Sequence, residues 1–128
     1  MLNVNLNISK IKNYLFTALQ GVCTHRFTSM PTTIDKAWGK FMIIEVIKIN
    51  DDMQLGQAKV LLTLWANQIG AGLEDAKTLE TMETTLLTLL NDHCVTDIYS
   101  LSFSGGYDVA DYEKKISGRL YEIRINIK

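Results

Sequence analysis

Residues 74–92 read EDAKTLETMETTLLTLLND, and this stretch decides how the rest of the chain is understood. Ala76, Leu79, Met82, Leu86, Leu89 and Leu90 recur at spacings of three and four, with Glu80, Glu83 and the threonines turned away. That is the apolar stripe of an amphipathic helix. Glu74 and Asp75 fall at its start, where carboxylates favour the positive end of the helix dipole, and His93 follows its last turn. A stripe this apolar must lie on something. The segments on both sides alternate with period two, as strands do, so the helix is expected across one face of a sheet.

Working outward, FMIIEVIKI at 41–49 reads as a strand. Phe41, Ile43, Glu45 and Ile47 point one way, and Met42, Ile44, Val46 and Lys48 the other. Asn50-Asp51-Asp52 supplies a turn. Residues 57–67 form a second strand, with Val60, Leu62 and Leu64 opposed to Lys59, Leu61, Thr63 and Trp65. So short a connection predicts an antiparallel hairpin. Beyond the organising helix, 97–103 places Tyr99, Leu101 and Phe103 on one side. Residues 119–127 place Tyr121, Ile123, Ile125 and Ile127 inward, with Glu122, Arg124 and Asn126 outward. Between these strands, SGGYDVADYEKKIS at 104–117 is expected to project as a loop, because a tight turn needs far fewer residues. Gly105-Gly106 and Gly118 are its expected hinges, and we expect the loop to be mobile in an isolated subunit and ordered in an assembly.

Upstream, Ile11, Leu15, Ala18, Leu19 and Val22 share a helical face, with Gly21 placed to end the helix and Ser9 or Asn7 to cap its start. Residues 1–8 alternate Leu2, Val4, Leu6 and Ile8 with asparagines, the pattern of a short strand, an extended arm or a frayed terminus. Residues 23–40 hold the sole proline, Pro31, and read as a short edge strand near Cys23–Phe27 followed by a surface loop. The expected fold is a single α+β domain over 1–128, a two-layer sandwich. Its mostly antiparallel four-stranded sheet, in the order α-β-β-α-β-β, carries two helices on one face.

Composition bounds the function. With 128 residues, 47% hydrophobic and 21% charged, the chain is long enough for one core. The net charge of −1 is spread along the chain, which gives no footprint for nucleic acid and no basic face for a membrane. No apolar run is long enough to span a bilayer, and the N-terminus lacks the pattern of a secretory signal. Two cysteines, Cys23 and Cys94, make no disulfide framework and fit a reducing compartment.

Cys23, His25, His93 and Cys94 are of ligand type, but C-x-H and H-C are poor spacings for one zinc ion, and no third group orients a Cys–His nucleophile. Asp51-Asp52 has the composition of an ordinary turn. Gly105-Gly106 is not a phosphate loop, since no G-K-[ST] follows. We therefore expect no catalytic residues, no cofactor and no metal. The residues best suited to contact are Gly105, Gly106, Tyr107, Asp108, Tyr112, Lys114 and Lys115, which mix aromatic area with both signs of charge. They fit a subunit or partner interface as well as a solvated connection.

The order of these features resembles the tail-terminator, or tail-completion, proteins of long-tailed bacteriophages and the related minor tail and head–tail joining proteins. The resemblance rests on a short N-terminal helix, the Pro-containing segment Phe27 to Pro31 and the strand FMIIEV. It continues through VLLTLWAN before a glycine turn, a helix ending LLTLLND and the closing strand RLYEIRINI. The Asn-alternating start departs from the pattern. The resemblance implies a non-enzymatic phage or prophage virion protein, assembled in the bacterial host cytoplasm. It implies a ring, commonly a hexamer, capping the head-proximal end of the tail tube and contacting tail-tube and head-completion proteins. The alternative is a ferredoxin-like small-ligand or regulatory binding module, with Trp38, His25 and Trp65 as its candidate pocket residues.

Overall fold

The computed structural model describes residues 8–50, 57–93 and 99–127. Helix α1 (Ile8–Ala18) precedes the two-residue strand β1 (Arg26–Phe27) and a 3-10 turn at Lys36–Trp38. Strands β2 (Lys40–Asn50) and β3 (Gln57–Asn67) follow, then helix α2 (Ala76–His93), β4 (Tyr99–Asp111) and β5 (Ile116–Ile127). The strands form one sheet in the order β1-β2-β3-β5-β4.

The expected hairpin is present, with Met42 opposite Leu64, Ile44 opposite Leu62 and Val46 opposite Val60. β3 also pairs antiparallel with β5, setting Leu62 against Tyr121 and Val60 against Ile123. These residues share the face covered by both helices. Leu15 and Leu19 come from α1 and its following turn, and Leu79, Met82, Leu86 and Leu90 from α2, to close the main core. Tyr121, Ile123 and Ile125 are buried there, whereas Glu122 is half-buried and Arg124 exposed on the other face.

The four-stranded expectation is corrected to five strands in a mixed sheet. β1 runs parallel to β2, with Arg26 opposite Met42 and Phe27 opposite Ile43. Parallel neighbours need a crossover. Here residues 28–39 supply it by passing over the face opposite the helices. They bury apolar groups as they go, because Phe27, Ile34 and Trp38 pack on a second cluster of Phe41, Ile43, Trp65 and Ile116. The outer face is therefore apolar at this end. Further along it is polar, where Lys59 pairs with Glu122 at 3.5 Å.

The projecting loop at 104–117 is also corrected. β4 continues to Asp111 and β5 begins at Ile116, so only Tyr112–Lys115 form the turn. The strands carry on because every residue of 107–111 finds a partner, from Tyr107 opposite Leu120 to Asp111 opposite Ile116. Gly118 is no hinge. It lies within β5 opposite Trp65, whose ring leaves no room for a side chain.

α2 begins later than its composition indicates. Asp75 caps it from outside, its Oδ1 accepting from Thr78 N–H at 3.2 Å and its Oδ2 from the Thr78 hydroxyl at 2.7 Å. Ala76 is exposed rather than part of the stripe, and His93 is the last helical residue. The alternating segment 1–7, the Asp51-Asp52 turn and Cys94 lie outside the described residues.

Candidate assembly surface

Three connections meet at one end of the sheet: the 3-10 turn, the link from β3 to α2, and the turn between β4 and β5. Backbone hydrogen bonds hold them together. Asn67 N–H donates to Gly39 O at 2.9 Å, and Gln68 N–H donates to Lys115 O at 2.9 Å. Lys36 Nζ donates to Lys114 O and, at 3.4 Å, to Lys115 O. Within the β4–β5 turn, Asp111 Oδ1 accepts from Lys114 N–H at 3.0 Å, the local side-chain bond that aspartate brings to turns. Lys115 adopts φ 57°, the left-handed region that glycine occupies more easily. Apolar groups protrude beside this scaffold, with Ile69 71% and Tyr112 73% exposed. Leu73 projects as well, held against Ile69 by a hydrogen bond from Ile69 N–H to Leu73 O at 3.0 Å.

The residues expected to make contacts are spread along the hairpin and do not converge on a pocket. Gly105 and Gly106 mark a shift of register between Ser104 and Tyr107, which is a β-bulge. Tyr107 stands exposed on the outer face of β4, and Asp108 on the helix side. Tyr112, Lys114 and Lys115 lie at the turn.

A polar network went unread in the sequence. Arg119 sits on the helix face of β5, where its Nη2 lies 2.9 Å from Glu74 Oε1 and its Nη1 3.6 Å from Glu83 Oε2. Its Nε lies 3.6 Å from Asp108 Oδ1. The Tyr121 hydroxyl donates to the other Glu83 oxygen. Burial disfavours the Arg119 cation, but hydrogen bonding and attraction from Glu74, then Glu83, outweigh it and raise its pKa. Burial, then the Glu83 carboxylate, pushes the Tyr121 phenol up as well. The signal was parity: Arg119 shares the inward alternation of Tyr121 and Ile123, where a charge needs partners.

Cys23, His25, Trp38 and Trp65, weighed as ligands or pocket residues, have other work. Cys23 is buried, its thiol donating to His25 O at 3.4 Å, and burial pushes its pKa up to about 11. His25 stacks on Trp38, Trp38 meets Phe41 edge-on, and Phe41 stacks on Trp65. These rings fill space against one another. Trp38 also borders an open cleft of about 390 Å³, with Asn67, Gln68, Asp75 and Thr78 among its other walls. Among the described residues, no group of three or more His, Cys, Asp or Glu is placed to hold a metal ion. No helix among them is long and apolar enough to cross a membrane.

No protein-family model matches the chain, and no curated protein matches it in sequence. The fold does have a likeness among solved structures. A chain in the virion of a native gene transfer agent particle superposes with a TM-score of 0.53. The match covers 85% of this chain and 83% of that one, at 11% identity. A virion chain shares this fold.

Proposed function

We propose that this chain is a non-enzymatic structural protein of a phage or prophage virion. Its copies form a ring, hexameric in number, at the head-proximal end of the tail tube, where they stop tube growth and join the tail to the head. The observation that supports this reading is the shared fold with a gene transfer agent virion chain over most of both chains. The element order and local sequences set out above favour the tail terminator among virion components. One end of the sheet is braced by interlocking turns and presents exposed Ile69, Leu73 and Tyr112, a surface suited to other subunits. The expected contact residues Gly105, Gly106, Tyr107, Asp108, Tyr112, Lys114 and Lys115 lie along the adjoining hairpin.

The test is deletion of the gene from a phage or prophage that carries it, followed by electron microscopy of the particles. Overlong tails separated from filled heads are expected, with wild-type length and joining restored by the gene in trans. Normal tails on normal heads would overturn the proposal.

A further inference from the structure

We propose that copies of this chain join edge to edge, β4 of one adding antiparallel to β1 of the next, with Asp108 opposite Arg26 and Tyr107 opposite Phe27. The inference rests on the ring reading and names the surface that would close such a ring.

β1 and β4 are the two outer strands of the sheet. Long edge strands that avoid company commonly carry lysine or proline. β4 runs for 13 residues without lysine, arginine or proline, and its one irregularity is the bulge at Gly105-Gly106. Beyond the bulge, residues 107–111 are an unbroken edge long enough to receive another strand. At the opposite edge, Met42 N–H donates to His25 O, so His25 and Phe27 direct their ladder groups toward β2. The N–H and C=O of Arg26 consequently face away from β2.

The two edges match in charge, face and direction. Asp108 and Asp111 are the charged residues of β4, and Arg26 is that of β1. Arg26 is opposite Met42 and lies over the Phe16 ring, on the helix face. Asp108 is opposite Arg119, on that same face, with its side chain 80% exposed. The Arg26 guanidinium donates from Nη1 to Phe16 O, and its buried Nε has no hydrogen-bond partner among the described residues. Phe27, opposite Ile43, and Tyr107, opposite Leu120, both take the outer face, where Tyr107 is 62% exposed.

β1 is parallel to β2, and each later step across the sheet is antiparallel, so β1 and β4 run in opposite directions. Copies related by rotation about an axis along the strands therefore bring β4 and β1 together antiparallel. One register then sets an acid against a cation on one face and an aromatic against an aromatic on the other, both favourable cross-strand pairs. The contact joins different surfaces of the two copies, the kind that closes into rings. Pairing β4 with β4 would instead bring two acidic strands together.

Two measurements test this. Sedimentation of the full chain should show multimers, weakened at least about tenfold by Asp108→Arg, since like charges set opposite each other are strongly disfavoured. Adding Arg26→Asp to that variant should restore them. Independently, a chain carrying Phe27→Cys and Tyr107→Cys should give a ladder of covalent multimers on mild oxidation, while neither single variant does. This arm holds even where reversing Arg26 impairs folding. Wild-type multimers that ignore Asp108→Arg, and no ladder from the double-cysteine chain, would overturn the edge pairing and leave the ring reading standing. Covalent dimers from Tyr107→Cys alone would replace it with a β4–β4 contact. A wild-type chain that stays monomeric to its solubility limit and gives no ladder would overturn both readings.

Discussion

Arg119 Nη2 lies 2.9 Å from Glu74 Oε1, so the first part of β5 is fastened to the residue just ahead of the α2 cap. The same guanidinium reaches Glu83 on α2 and Asp108 on β4. One side chain thus ties the second helix to the β4–β5 hairpin. Replacing Arg119 by Met leaves carboxylates from three segments without their shared cation. The partners are partly exposed, so the loss lies between the surface and buried cases, roughly 1–3 kcal/mol. Urea denaturation of Arg119→Met against wild type measures it, and the difference should shrink in high salt.

The alkaline limb of stability follows from two raised pKa values. Cys23 holds its proton in the fold up to about pH 11, whereas the unfolded chain releases it near 9.0. The native state therefore binds the proton more tightly. Its contribution is complete below pH 9 and is lost as pH rises toward 11, roughly 2–3 kcal/mol in all. Tyr121 acts in the same direction from its ordinary value of 10.0 upward. Denaturation between pH 8 and 11 should show a steep decline, visibly shallower in Cys23→Ala. An unchanged slope in that variant would exclude the thiol as a source.

Most of the core was legible because alternation and helical spacing are local signals. Met42 and Ile44, then Val60, Leu62 and Leu64, and Tyr121, Ile123 and Ile125 all face the helices as their parity indicates. What escaped depends on contacts between distant segments. Nothing local in Arg26-Phe27 says that they pair parallel with β2; the crossover does so by burying Ile34 and Trp38 against Phe41 and Trp65. Residues 104–111 looked like loop because their composition is polar and glycine-rich, yet β5 provides a pairing partner along them. The residues expected to make contacts fall along a paired hairpin instead of a loop, and alternation alone marks Arg119, which braces it, only as the start of a strand.

Gly118 makes the β3–β5 contact unusually close. A Cβ there would collide with Leu64 O and lie 2.9 Å from Trp65 Cε3, so backbone as well as ring would have to move. Gly118→Ala should destabilise the fold by about 1–3 kcal/mol or more, the cost of overpacking. Ile123→Ala, which empties a fully buried site on the helix face, should cost roughly 2–5 kcal/mol by cavity formation. Trp fluorescence during urea titration distinguishes them. The glycine variant changes the native spectrum through Trp65, and the isoleucine variant shifts the midpoint alone.

Lys115 allows fold and assembly to be separated at the hairpin turn. Its φ of 57° is costly for a side-chain-bearing residue, while its carbonyl is the group that accepts from Gln68. Lys115→Gly keeps the carbonyl and relieves the backbone, so the melting temperature should rise, by a stability gain of about 1 kcal/mol. If the lysine side chain serves only solvation, multimer formation is unchanged in the same protein. A more stable chain that assembles less well would place the Lys115 ammonium in a subunit contact.

Hydrogen exchange tests how β4 is used. The whole hairpin is paired in the single chain, so residues 107–111 should already show protection in isolated subunits at the amides that point to β5. On an outer strand the alternate amides point away from the sheet and exchange freely. Joining of β4 to another strand would supply those amides with acceptors. The expected signature in multimers is therefore slowing at every second residue of 107–111, with Arg26 on the opposite edge slowed in parallel. Uniform slowing across the hairpin and its turn would indicate a general rigidification, not an added strand. Unchanged exchange at 107–111 beside slowing at Ile69, Leu73 and Tyr112 would move the contact to the braced end of the sheet.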